Sequence, residues 1–273
     1  MACIMVLYLV GHMERKGAMS QPVLLTESRD KVLLMTLNRP DKRNAVNSEL
    51  RAAISRTMAE FRDDDSLRVA IITGAGDAAF CAGADLREMA DRATGQPPRD
   101  YFADFGPDDF IEKPVITAVN GFALAGGFRL AQFGDLCIAS EHARFGISEA
   151  KWSRGAPWAA PLTRMIPRRV LAELLLTAQP ISAQRAYEVG LVNEVVPHEQ
   201  LMTRAWELAA TMVRNAPLTL AASKWMIRVG TESGVAITGA VAREMFRHVY
   251  ASEDAIEGPK AFAEGRAPEW KGR

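Results

Sequence analysis

This chain of 273 residues lacks the marks of several protein classes, beginning with cysteine. Only Cys3, Cys81 and Cys137 are present, an odd number without metal-ligand spacing. That argues against a disulfide framework or a cysteine metal site, and fits a reducing, cytoplasmic setting. Lys+Arg and Asp+Glu both number 33, so no excess charge draws the chain to nucleic acid or an anionic membrane. The apolar run Met1–Val10 is too short to span a bilayer. It also lacks the leading positive charge and trailing A-x-A-like site of a secretory signal. The four histidines, His12, His142, His198 and His248, are scattered. No serine nucleophile elbow and no metal-ligand helix motif accompanies them. Internal repeats and low-complexity tracts are absent too.

What the chain has is apolar residues, 48% of the total, ample for a buried core. Residues 1–20 read as a tail outside the fold. Val23–Glu27 and Val32–Leu37 read as strands of a hairpin turning at Ser28–Asp30. Leu50, Ala53, Ile54, Met58 and Phe61 recur at one-face helical spacing behind the cap residues Asn47 and Ser48. Val69–Thr73, Val115–Val119 and Leu136–Ser140 are β-branched apolar runs separated by helical stretches, the pattern of βαβ units and parallel strands. Gly95–Pro98 interrupts the segment before the second run and reads as a mobile loop. Past about Pro157 strand signals nearly vanish. Helices are expected over Arg168–Ala178, Ser182–Val189, Glu199–Asn215, Pro217–Val229, Ala236–Ala251 and Glu253–Glu264. The expected organisation is an α/β core over 21–197 and a helical region over 198–273.

Two loops carry chemistry. Ala79–Asp85 (AFCAGAD) and Asn120–Arg129 (NGFALAGGFR) each place small residues directly after a β-branched run. Small residues at strand ends let backbone approach a ligand and turn its N–H groups toward it. Two such loops facing each other can donate two backbone hydrogen bonds to one oxygen, an oxyanion hole. Gly74–Ala79 also fits G-x-G-x-x-G/A, the dinucleotide fingerprint. That motif needs a helix opening at once, and Phe80–Ala84 has little helical character, so the match is set aside.

The chain resembles the enoyl-CoA hydratase/isomerase (crotonase) family in six blocks that follow one another in order: Leu37–Asn47, Val69–Leu86, Lys113–Gly127, Gly134–Lys151, Gly190–Pro197 and Glu257–Gly272. The resemblance implies a spiral of ββα units followed by a helical trimerisation region. The assembly it implies is a homotrimer or a dimer of trimers. The implied substrate is an acyl-CoA thioester, with no separate cofactor because coenzyme A arrives as part of the substrate. By resemblance the oxyanion donors are the backbone N–H groups of Ala84 and Gly126. The coenzyme A contacts fall on Lys42, Arg43, Ala45, Ala82, Asp85 and Leu86. Lys42 and Arg43 read equally well as solvated charges on a turn.

Hydratases of this family use two glutamates, and here only one is kept. The proton-delivering carboxylate matches Glu149, while the water-activating one falls on Arg129, one helical turn after Gly126. Arginine stays protonated and cannot serve as a general base. It can pair with Glu149 and lower that carboxyl's pKa, grip an anionic substrate group, or turn away into a structural ion pair. Chemistry with a single acid on a thioester enolate survives the replacement, as in the family's Δ3/Δ2-enoyl-CoA isomerases. The spelling SEAK at Ser148–Lys151 is similar to that of carnitinyl-CoA dehydratase relatives. Trp152 and Trp158 after it can narrow an acyl pocket or serve as packing aromatics. Two other classes stay open, a catalytically reduced acyl-CoA-binding protein and an RNA-binding homologue. The RNA reading wants a lysine-rich helix, and Asn47–Phe61 offers only Arg51 and Arg56 as basic residues.

Overall fold

A computed structural model describes residues 21–91 and 110–273. The N-terminal tail and the Gly95–Pro98 loop therefore lie outside the described residues. Strands β1 (Leu24–Arg29) and β2 (Val32–Leu37) form an antiparallel hairpin. Its turn is Asp30–Lys31, both at positive φ, rather than Ser28–Asp30, so β1 runs two residues further than its apolar pattern suggested. Helix α1 (Ser48–Asp63) starts where the Asn47 side chain accepts from the Leu50 N–H, and buries the five apolar residues that its spacing placed on one face.

The β-branched runs become β3 (Val69–Gly74), β5 (Val115–Val119) and β7 (Leu136–Ser140). With β1, β2 and β10 (Glu194–Val196) they make a sheet in the order β1-β2-β3-β5-β7-β10, parallel from β2 onward. These central strands are apolar on both faces because both faces are covered. Ala70 and Ile72 of β3 face the core shared with α1. Their neighbours Val69 and Ile71 face Leu201, Ala205 and Ala209 of α7 (Leu201–Val213).

A second sheet is built from very short strands: β4 (Ala79–Cys81), β6 (Phe122–Leu124), β8 (Arg144–Gly146) and β9 (Ile181–Ser182), in that order. Each of β3, β5 and β7 continues into its short partner, and the chain then turns into a helix. These are α2 (Leu86–Asp91), α3 (Gly126–Phe133) and a 3-10 turn over Glu149–Trp152. The structure thus repeats a ββα unit three times although the sequence shows no repeat, because the units share backbone course and not side chains. Parallel pairing of β4 with β6 and of β6 with β8 sets the three strand-to-helix turns side by side.

Beyond Pro157 the chain is mostly helical: α4 (Leu162–Met165), α5 (Arg168–Thr177), α6 (Ala183–Glu188), α7, α8 (Pro217–Glu232), α9 (Val235–Tyr250) and α10 (Glu253–Ala263). Two corrections apply. Strands β9 and β10 lie in this stretch, and Ser182 ends a strand and caps α6 instead of belonging to it. Both strands are too short to show a period.

Candidate active site

Two buried asparagines fix the first loop. Asn44 donates from Nδ2 to the carbonyls of Ala79 at 2.7 Å and Ala75 at 3.0 Å, while its Oδ1 accepts from the Arg39 N–H. Asn120 Nδ2 donates to Gly76 O at 2.6 Å and Gly74 O at 3.0 Å. Gly76 leads into β4 and not into a helix, as expected when the dinucleotide reading was set aside.

Val46 then pairs with Ala84 in a single parallel bridge, its N–H donating to Gly83 O and its carbonyl accepting from Asp85 N–H. In such a bridge the N–H of Ala84 itself points to the other side. Beyond it lies the second loop. A Cβ on Gly83 would stand 3.2 Å from Gly126 N and 2.9 Å from Leu124 O, so the two loops touch backbone to backbone.

The second loop is strained. Ala125 sits at φ 52° and ψ −123°, held by its N–H donating to Gly146 O at 2.9 Å. Such a conformation costs on the order of 1–3 kcal/mol and concentrates at functional sites. It brings Gly126 in as the first residue of α3, where backbone N–H groups have no partner inside the helix. Gly127 next to it is clamped, since a Cβ there would fall 1.9 Å from Cys81 O. Among the described residues, neither the Ala84 nor the Gly126 N–H donates to a protein acceptor.

Glu149 opens the third turn. Its Oε1 accepts from Trp158 Nε1 at 2.7 Å, and its Oε2 is buried without a hydrogen-bond partner. Burial pushes its pKa up, and the bonds from Trp158 and from its own backbone N–H offset only part of that. Trp158 is seated edge-on against Phe128 of α3, which in turn meets Phe145 of β8 edge-on. Trp158 therefore positions the carboxyl, a role the sequence left undecided between pocket and packing. Trp152 is exposed.

Arg129 does not pair with Glu149. Among the described residues the carboxyl's one side-chain bond is from Trp158 and no cation acts to lower its pKa, which removes one of the three alternatives the sequence left open. Arg129 instead lines a cleft of about 440 Å³ that Trp158 also lines.

The residues matched to coenzyme A contacts lie along one edge of the first loop. Lys42 and Arg43 are exposed, Lys42 pairing with Asp41 at 3.1 Å. Ala45 and Ala82 are half-buried, and Leu86 is exposed at the start of α2. Asp85 has a structural partner the sequence did not reveal, the Arg39 guanidinium at 2.9 Å. Burial alone would raise its pKa, but the Arg39 and Arg87 N–H donors outweigh that and hold it below the usual range. Arg39 also donates to the Ala45 carbonyl and so ties both strands of this edge together. Cys81 is buried, with its thiol pushed up to about 12, consistent with packing. No described helix is long and apolar enough to cross a membrane, and the described residues hold no cluster of three metal-ligand side chains.

The fold is a spiral of ββα units whose strand-to-helix turns, set side by side, carry Ala84, Gly126 and Glu149. The chain belongs to the enoyl-CoA hydratase/isomerase family, whose model matches residues 27–273. Carnitinyl-CoA dehydratase of Salmonella typhi is 41% identical over 270 residues, 93% of this chain and 100% of that protein. The enzyme of the same name from Proteus mirabilis is 40% identical over 269 residues, with the same coverage. Among solved structures, enoyl-CoA hydratase from Mycobacterium tuberculosis superposes with a TM-score of 0.85 at 36% identity, covering 93% of this chain and 100% of its own. An enoyl-CoA hydratase/isomerase from Mycobacterium paratuberculosis gives 0.84 at 32% identity, covering 92% and 99%.

Proposed function

We propose that this enzyme binds an acyl-CoA thioester, holds its carbonyl oxygen between the N–H groups of Ala84 and Gly126, and moves a proton at the α-carbon with Glu149. Polarising the carbonyl stabilises the enolate that forms when the proton leaves. The observation that carries the reading is Glu149 itself, anchored through one oxygen while the other is desolvated and unpartnered. A carboxyl in that state has a raised proton affinity and one free oxygen for the substrate. Coenzyme A lies along Lys42, Arg43, Ala45, Ala82, Asp85 and Leu86, with Asp85 contributing backbone because its carboxylate is committed to Arg39.

Isomerisation of 3-enoyl to 2-enoyl thioesters needs one carboxylate and no activated water, which suits a site with Arg129 in the hydratase position. A second reading, elimination of water from a 3-hydroxyacyl thioester, is favoured by the name carnitinyl-CoA dehydratase that the two relatives above carry. Assay of 3-enoyl, 2-enoyl and 3-hydroxyacyl thioesters separates the two. Turnover of the first supports isomerisation, water loss from the third supports elimination, and no turnover of any of them contradicts both. The working assembly in this reading is a homotrimer or a dimer of trimers. Val235, Ile237, Tyr250, Ile256 and Phe262 on α9 and α10 are exposed apolar side chains that a single copy leaves uncovered. Sedimentation as a monomer at micromolar concentration contradicts that assembly.

A further inference from the structure

Among the described residues, the cleft beside α3 is lined by the cations Arg228 and Lys224 and the anion Asp135. Lys224 and Asp135 neutralise one another at 2.8 Å. Arg228 has no such counterpart. Its guanidinium lies over the Phe110 ring at 4.9 Å and the Trp225 ring at 5.7 Å, and among the described residues no oxygen accepts from it. Ring faces hold a guanidinium plane and leave the N–H groups at its edge unsatisfied, a fork suited to a planar oxyanion.

Trp158 lines the cleft and also holds Glu149, so the cleft and that carboxyl lie against the same side chain. We infer that the acyl chain runs past Trp158 into this cleft and ends in a carboxylate bound there by Arg228. The inference rests on the acyl-CoA reading above and adds the substrate class to it. A cationic tail is disfavoured because it meets like charge at Arg228.

The test is calorimetric titration of the full-length protein with pentanoyl-CoA and with glutaryl-CoA, saturated thioesters of equal carbon count that differ in a terminal carboxylate. Charge-assisted bonds of this kind give a preference for glutaryl-CoA of about tenfold or more at low salt. Arg228→Met brings the two affinities together, and Arg228→Lys, which keeps the charge, retains a preference. Equal or weaker binding of glutaryl-CoA to the wild-type protein overturns the inference and leaves the acyl-CoA reading standing. A preference that survives in Arg228→Met does the same. Binding of neither thioester overturns the acyl-CoA reading and the inference with it.

Discussion

Trp158 Nε1 and Glu149 Oε1 stand 2.7 Å apart, and among the described residues this bond is the carboxyl's one side-chain restraint. It does two things at once: it fixes the carboxyl's direction and favours its ionised form. Trp158→Phe keeps an aromatic against Phe128 and removes the donor. The Glu149 pKa then moves further up, so the acid limb of the kcat/KM profile shifts to higher pH. Loss of direction lowers kcat as well, by up to about 10²-fold. A pH–rate comparison of the two proteins checks both effects.

The same burial has a consequence for stability. Because the Glu149 pKa is raised on folding, the native state holds its proton above the ordinary carboxylate value of 4.5, where the unfolded chain has lost it. The native state then binds more protons, so this group's contribution is fully present below that value and is lost as pH rises through the folded pKa. Melting temperatures of wild type and Glu149→Gln, followed from about pH 4 to about pH 8, show wild type losing ground to the variant as pH rises.

Gly127 lets the two loops meet because it has no side chain. A Cβ 1.9 Å from the Cys81 carbonyl oxygen cannot be accommodated, so Gly127→Ala displaces the start of α3 and the Gly126 amide with it. Overpacking of this kind costs about 1–3 kcal/mol, and misplacing the amide by 1 Å costs on the order of 10²-fold in rate. Gly190→Ala is the control. Gly190, unlike Gly127, has a positive φ, and a Cβ there meets nothing within 4 Å, so the variant loses stability through backbone strain and keeps its rate. Thermal melts together with kcat separate the two.

Arg129 decides between hydration and single-acid chemistry. By resemblance it falls on the position of the family's water-activating carboxylate, and among the described residues Glu149 has no second acid as a bonded partner. Wild-type hydration of crotonyl-CoA is therefore low or absent. Arg129→Glu supplies the missing base and raises that rate, general base catalysis being worth about 10²–10⁴-fold. Efficient hydration by the unmodified protein contradicts this account of Arg129.

Long β-branched runs were legible because burial on both faces leaves no alternation to misread, as in Val69–Gly74 and Val115–Val119. The second sheet was not, because Ala79–Cys81, Phe122–Leu124 and Arg144–Gly146 have three residues each and show no period. The site loops were read from small residues after strands, and Glu149 and Arg129 from resemblance. Arg39, Asn44 and Trp158 escaped because their roles depend on partners 46, 35 and 9 residues away, which no local pattern reports. The Arg228 stack escaped for the same reason, since Phe110 and Arg228 are far apart in the chain.

The central claim is that Glu149 alone moves the α-proton of a bound thioester. Isomerisation of a 3-enoyl-CoA in deuterium oxide, with the product examined by proton NMR, tests it most directly. Wild type is predicted to form the 2-enoyl product with deuterium from solvent, and Glu149→Gln to do so about 10²–10⁴-fold more slowly. Undiminished turnover by a folded Glu149→Gln variant would contradict the account, because the proton would then be moving through another group.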